Sequence, residues 1–278
     1  MKSLLSLLVL SFIGVHSFAQ SCCQMAAGQQ FAMLSEDAQF VSSHTYNSAV
    51  PELKSGSNIK FKVPGQESAN GYLIPANDAD SKKFLFVFQE WWGLTPHIKA
   101  ESEKFFEALG GDVHVLAIDM YDGKTATTAE MAGKLMQSRK EDRLRAIVDA
   151  AFAYAGEDAE VATLGWCFGG GWSLQAAIQG NDQVEACVMY YGMPETDPNR
   201  IEKIKAPVLG IFAEQDGWIN HEIVDKFEDR MRALEKDVEF FWYDAVHAFA
   251  NPSNNEYNAI HAGDAFKKSV DFLKENLL

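Results

Sequence analysis

The chain of 278 residues is 47% hydrophobic and 23% charged, enough apolar content to bury a full core and too much for a disordered polypeptide. A formal charge of −15 repels phosphate backbones and anionic lipid, which argues against nucleic acid or a membrane surface as a partner. Four cysteines are too few for a disulfide-built scaffold of this length, so size supplies the core.

Residues 1–19 carry one cation, Lys2, then an apolar stretch from Leu4 to Val15, then Ser17-Phe18-Ala19 with small residues three and one positions before a cut. This pattern reads as a signal peptide, and the expectation is an exported protein, periplasmic or secreted, beginning near Gln20. A retained membrane anchor needs about 20 apolar residues, more than this run offers. A lipid-anchored start at Cys22 competes, but Ala19-Gln20-Ser21 is a weak lipidation box. Residues 20–57 are polar and without sustained periodicity, which predicts a loosely packed N-terminal arm. Its adjacent Cys22 and Cys23 have no histidine at metal-ligand spacing.

From residue 58 to 278 short apolar runs alternate with longer amphipathic ones, the pattern of strands joined by helical crossovers in a single α/β domain. Strands are predicted over Ile59 to Val63, Gly71 to Pro75, Phe84 to Gln89, Val113 to Asp119, Val161 to Trp166, Val184 to Tyr190, Val208 to Ala213 and Val238 to Tyr243. Helices fit His97 to Leu109, Thr128 to Gln137, Arg139 to Ala155, Gly169 to Gln179, His221 to Leu234 and Glu256 to Asn276. The third of these puts Leu144, Ile147, Val148, Ala151, Phe152 and Tyr154 largely on one stripe, the face that packs on a sheet. The fold class is therefore a mostly parallel eight-stranded sheet flanked by helices.

Gly165-Trp166-Cys167-Phe168-Gly169-Gly170-Gly171 directly follows one strand and directly precedes a helical run. This is the form of a nucleophile elbow with Cys in place of the usual Ser. Glycines let strand and helix approach closely, and the helix N-terminus favours a thiolate. The bland reading is a glycine-rich turn around a buried, inert Cys. A nucleophile needs a base and the base an orienting carboxylate, in the chain order nucleophile, acid, histidine. Asp216 and His247 each follow a predicted strand end and supply that order, and parallel sheets gather such residues at one rim. Glu214 and Asp244 are the substitute carboxylates; His44, His97, His114, His221 and His261 are assigned to surface or helical positions.

Glu90, in Gln89-Glu90-Trp91-Trp92-Gly93, falls after an early strand, where it stands either beside the thiol or as a solvated loop residue. Trp91 and Phe168 are the expected oxyanion-hole donors through their backbone N–H groups. Trp91 and Trp92 fit equally a core or a pocket wall.

Together with Asp119-Met120-Tyr121 and His247-Ala248-Phe249, these segments resemble the dienelactone hydrolase family of the α/β-hydrolase fold over roughly residues 57–278. The resemblance implies that Cys167 is the nucleophile, that Asp216 and His247 complete the triad, and that Glu90 switches the thiol between resting and activated forms. It implies a small-molecule ester or lactone substrate, a thioester intermediate and no metal or organic cofactor. Tyr121, Lys124, Trp218 and Phe249 are candidate substrate contacts. Two departures bear on substrate: family members hold a substrate carboxylate with an arginine shortly after the Asp119-type segment and a serine after the histidine, where this chain has Asp122-Gly123-Lys124 and Ala248. Lys124 is a point charge and cannot copy a bidentate fork. An exported thiol redox protein and a silent hydrolase fold used for binding are the alternatives, the former weakened by the lack of a Cys-x-x-Cys motif. The oligomeric state is not readable.

Overall fold

The computed structural model describes residues 27–47 and 49–278. The leader, with His16, and the Cys22–Cys23 pair lie outside the described residues. Two short helices, α1 (Ala27–Leu34) and α2 (Ala38–Ser43), precede an eight-stranded sheet. Its strands are β1 (Ser57–Phe61), β2 (Ala69–Ile74), β3 (Lys83–Phe88), β4 (His114–Asp119), β5 (Glu160–Trp166), β6 (Val184–Tyr190), β7 (Val208–Ala213) and β8 (Val238–Tyr243). Between and after them run α3 (Pro96–Ala108), α4 (Ala129–Gln137), α5 (Glu141–Ala155), α6 (Phe168–Gly180), α7 (Pro198–Ile201), α8 (His221–Ala233) and α9 (Ala259–Leu277). Among the described residues no helix is long and apolar enough to cross a membrane.

The strands lie in the order β1-β2-β4-β3-β5-β6-β7-β8, antiparallel at β1–β2 and β2–β4 and parallel from β4 onward. All eight predicted strands are present. Central strands such as β5 and β6 are buried on both faces, so they read as continuous apolar runs rather than alternating ones. Cys187 meets Ser173 of α6, whereas Tyr190, three residues on, bonds Ser269 of α9 at 2.7 Å. Residues at an odd separation on a strand face opposite ways, so α6 and α9 cover opposite faces of the sheet. On the α9 side α3 joins through the Phe105–Phe266 ring contact; on the other, α5 lies against α6.

The predicted helices are likewise present, with α9 starting at Ala259 because Asn258 caps it by accepting the His261 N–H at 3.1 Å. The described part of the arm departs from the expectation of loose packing. Asp37 caps α2 by accepting the Gln39 and Phe40 N–H groups at 2.7 and 3.1 Å. Helix α1 packs against α4 and α6, and α2 against α4, with Phe31 and Phe40 fully buried. These helices, of 8 and 6 residues, are too short to show a period, and tertiary burial of the two phenylalanines holds them.

Candidate active site

The parallel strands β3, β5, β6, β7 and β8 end at one rim, and the segments that follow them carry Glu90, Cys167, Tyr191, Asp216 and His247. At the end of β5, Cys167 takes φ 58° and ψ −120°, a left-handed conformation that costs a non-glycine residue about 1–3 kcal/mol. The surroundings enforce it: the Cys167 N–H donates to Tyr190 O at 2.9 Å, and its carbonyl accepts the Gly170 N–H at 3.0 Å. A Cβ on Gly165 would overlap the Gly169 carbonyl, and one on Gly169 would overlap the Phe88 and Gln89 carbonyls. Helix α6 therefore starts hard against β3 and β5, with the thiol at its N-terminus.

Asp216 sits in the turn after β7. Its Oδ1 accepts the Trp218 and Ile219 N–H groups, each at 2.9 Å, and its Oδ2 stands 2.5 Å from His247 Nδ1. Burial pushes this carboxyl up, but the His247 ring and the two N–H groups outweigh it and hold Asp216 below the ordinary carboxylate range. An ionised Asp216 makes Nδ1 the protonated nitrogen of His247, so Nε2 presents a free lone pair. One nitrogen of His247, one of His44 and Cys167 Sγ lie within 4.8 Å of one another, all three residues buried. The substitute carboxylates are committed elsewhere: Glu214 pairs with His221 at 2.8 Å and Asp244 accepts from Gln215 at 2.7 Å.

Glu90, 3% exposed, is on the thiol side of the loop after β3 rather than in solvent. It accepts from Asn251 Nδ2 and, at 3.5 Å, from the Tyr191 hydroxyl. Burial pushes its carboxyl up to about 8, against those two hydrogen bonds. Burial and the neighbouring Glu90 also push the Cys167 thiol up, while the Phe168 and Trp91 N–H groups, both reaching the sulfur, pull it down. Burial wins, and the resting pair is a neutral thiol beside a neutral carboxyl.

Raising the Glu90 pKa from 4.5 to about 8 on folding has a stability consequence with a definite sign. The folded state binds this proton more tightly than the unfolded state, so the stabilisation is full below pH 4.5 and is lost as pH rises through about 8. Glu90→Gln mimics the protonated form. The melting temperature of the native protein should therefore fall relative to that of Glu90→Gln across this window; parallel curves would show that Glu90 is already ionised.

Trp91 is core: its ring is fully buried against Phe40, His44 and Trp92. Tyr121 is buried against Phe168, with ring centroids 5.4 Å apart. Trp218 is half-buried near His247, and its Nε1 donates to Asp37 of the arm. Phe249 packs behind Tyr191 and Tyr243. Lys124 is not brought to the thiol; it is exposed and lines a separate groove with Asn58, Lys60, Lys99 and Asp119, because the Tyr121–Gly123 turn carries it outward.

Sequence reasoning missed Tyr191 and Asn251, which hold Glu90, and missed the packing of the arm onto the site. His44, assigned to the surface or a helix, is buried against Trp91 and His247 at ring centroid distances of 4.7 and 5.2 Å. Phe40 covers Trp91, Trp218 and His247, and Phe31 meets Phe168, so the thiol is closed off from solvent. The local signal was a capping Asp37 followed by Phe40 and His44 four residues apart. Truncating a buried phenylalanine typically costs about 3–5 kcal/mol. Phe40→Ala should accordingly speed alkylation of Cys167 by iodoacetamide at least about tenfold, since 1.4 kcal/mol off the cost of opening already gives that factor. An unchanged rate would mean that the thiol is reached by another route.

The sequence profile of the Dienelactone hydrolase family matches residues 70–277. The chain is 34% identical over 235 residues to protein usf of Aquifex pyrophilus, covering 80% of this chain and 99% of that one. It is 25% identical over 250 residues to a carboxymethylenebutenolidase of Rhodococcus opacus, covering 84% and 97%. The crystal structure of dienelactone hydrolase from Anabaena variabilis superposes with a TM-score of 0.62 at 19% identity, over 82% of this chain and all of that one, a likeness of fold. With the elbow, the order of the strands and a family match spanning nearly the whole sheet in agreement, the chain belongs to the dienelactone hydrolase family, hydrolases of carboxylic ester and lactone bonds built on the α/β-hydrolase fold.

Proposed function

We propose that this hydrolase cleaves activated esters, enol lactones or thioesters through a Cys167–His247–Asp216 triad and a thioester intermediate. The observation that carries the reading is the convergence of Cys167 Sγ, a His247 nitrogen and the Phe168 and Trp91 N–H groups at one strained turn, with Asp216 fixing the histidine tautomer. In the resting state the thiol is neutral. Substrate entering past the arm hydrates Glu90, which releases its own proton to solvent and, as a carboxylate turned onto the sulfur, takes the Cys167 proton. A carboxyl raised toward 8 is a stronger base than an ordinary carboxylate, and the Phe168 and Trp91 N–H groups that reach the sulfur favour its thiolate. The thiolate then adds to the carbonyl carbon, and the oxyanion is held by the Phe168 and Trp91 N–H groups, each such donor worth on the order of a hundredfold or more in rate. Collapse expels the alkoxide or enolate, which takes a proton, and leaves the acyl group on sulfur. His247, its Nε2 lone pair free, removes a proton from water, which attacks the thioester and releases the acid. Thiolate is the better leaving group against an amine, so amides are poor substrates.

The Rhodococcus relative's name points to butenolides bearing a carboxylate. Lys124 and Ala248 stand where the family's carboxylate contacts are expected, and Lys124 faces another groove, which favours neutral esters and lactones. The leader pattern of residues 1–19 supports action outside the cytoplasm. The test is incubation with p-nitrophenyl acetate followed by peptide mass spectrometry. One acetyl group on Cys167 with continuing turnover is expected. A free thiol without turnover would favour a binding role, and a cycling sulfenate or mixed disulfide a redox one.

A further inference from the structure

The hydrolytic steps use one imidazole, yet two face the sulfur. His44 Nδ1 lies 2.6 Å from the Phe40 carbonyl oxygen, and a carbonyl only accepts, so Nδ1 carries the hydrogen and Nε2 is a bare lone pair. His247 repeats the pattern with Asp216 in place of the carbonyl. Both Nε2 atoms are buried and have no hydrogen-bond partner. Two lone pairs thus confront one S–H hydrogen, which can satisfy only one of them. A cation accepting both nitrogens and the sulfur satisfies all three groups.

We propose that His44, Cys167 and His247 form a metal site for a thiophilic transition ion, Zn2+ being the ion that fits two imidazoles and a thiolate. The donors already lie within 4.8 Å of one another and need to close by roughly an ångström to reach Zn–N bonds of about 2.0 Å and a Zn–S bond of about 2.3 Å. Each ring has the outer support that metal-bound imidazoles receive, Nδ1–H donated to a carboxylate at His247 and to a backbone carbonyl at His44. The donor set selects a soft or borderline ion over Ca2+ or Mg2+. Binding breaks the Cys167 S–H bond, forms the S–Zn bond and releases the proton to solvent, so affinity rises with pH. The ion enters when the arm opens and clamps the arm shut through His44. It also occupies the sulfur and the His247 lone pair together. On the hydrolytic reading above, a bound ion therefore excludes catalysis, whereas the site itself does not depend on that reading.

The experiment uses the reduced, chelator-treated full chain with Cys22→Ser and Cys23→Ser, which leaves Cys167 and Cys187 as the thiols. Titration with Co2+ should give one equivalent bound with a near-ultraviolet thiolate-to-cobalt band, displaced by Zn2+. Cys167→Ser should abolish the band and Cys187→Ala leave it. His44→Ala should weaken Zn2+ binding at least about a hundredfold, more than is lost when only an outer partner of a ligand is removed. His44→Gln, which keeps much of the volume, gives the same reading if the alanine variant unfolds, and His221→Ala on the exposed surface should change nothing. Bound Co2+ without a thiolate band, or affinity unchanged in a folded His44 variant, overturns the proposal. Because the band is read without substrate, it can appear in a protein that hydrolyses nothing and be absent in one that does.

Discussion

Replacing Cys167 by alanine is expected to lower kcat on p-nitrophenyl acetate by about ten-thousandfold or more and to abolish the acyl adduct, while the protein still folds. The size follows from what remains: Phe168 and Trp91 still offer N–H groups to an oxyanion, but water must attack without a covalent stage, and losing the nucleophile of a comparable triad costs on the order of a millionfold. Removing one sulfur from a packed site adds only a small cavity, and alanine keeps the Cβ that the φ of 58° already tolerates. Far-ultraviolet dichroism and thermal melting should thus stay close to native. Cys167→Ser is the sharper variant. Its hydroxyl is far less acidic than a thiol, so Glu90 at about 8 is a poor acceptor for its proton, and activity should remain low although every other atom is in place. Turnover within tenfold of native in the alanine variant would place the chemistry elsewhere.

The eight strands and the elbow were legible because their causes are local. Apolar runs such as Val161 to Leu164 have no other use than a doubly buried strand, and Gly165 and Gly169 mark where two backbones touch. Asp216 and His247 were legible from order alone, since a parallel sheet brings successive strand ends to one rim. What stayed hidden depended on contacts distant in sequence. Tyr191 holds Glu90 only because β6 ends beside β5, and nothing in the Tyr190-Tyr191-Gly192 run distinguishes it from core. His44 lies in a polar stretch whose helices exist by docking, so neither propensity nor period signals them. Lys124 misled for the converse reason: sequence proximity to Tyr121 says nothing about the direction taken after a turn with Asp122 at φ 55° and Gly123 at φ 86°.

The arm and the acid together define a closed resting state. Phe40 and His44 seal the rim, and the same exclusion of water raises Glu90 and keeps the thiol protonated. A closed site has no thiolate to oxidise. On the proposed mechanism, opening the arm lets water reach Glu90 and ionises it, so access and activation are coupled through one carboxyl.

Asp216→Asn is expected to lower kcat by about ten-thousandfold, the loss seen when the equivalent carboxylate of a hydrolytic triad becomes an amide, and to lower KM with it, because slowing deacylation alone lets the acyl-enzyme accumulate. Asp216 Oδ1 accepts two backbone N–H groups and Oδ2 faces His247 Nδ1 at 2.5 Å. Asparagine must keep its carbonyl oxygen on the Trp218 and Ile219 N–H groups, because its NH2 cannot accept them. That orientation turns the amide NH2 toward His247 Nδ1, which must then accept, and the ring tautomer reverses. Nε2 now carries the hydrogen and cannot take a proton from water, so deacylation fails while Glu90 can still deprotonate Cys167. The specific signature is therefore a burst: one equivalent of p-nitrophenol released rapidly, followed by a stalled thioester on Cys167. A variant that loses the burst as well would show that His247, not Glu90, is the group that activates the thiol.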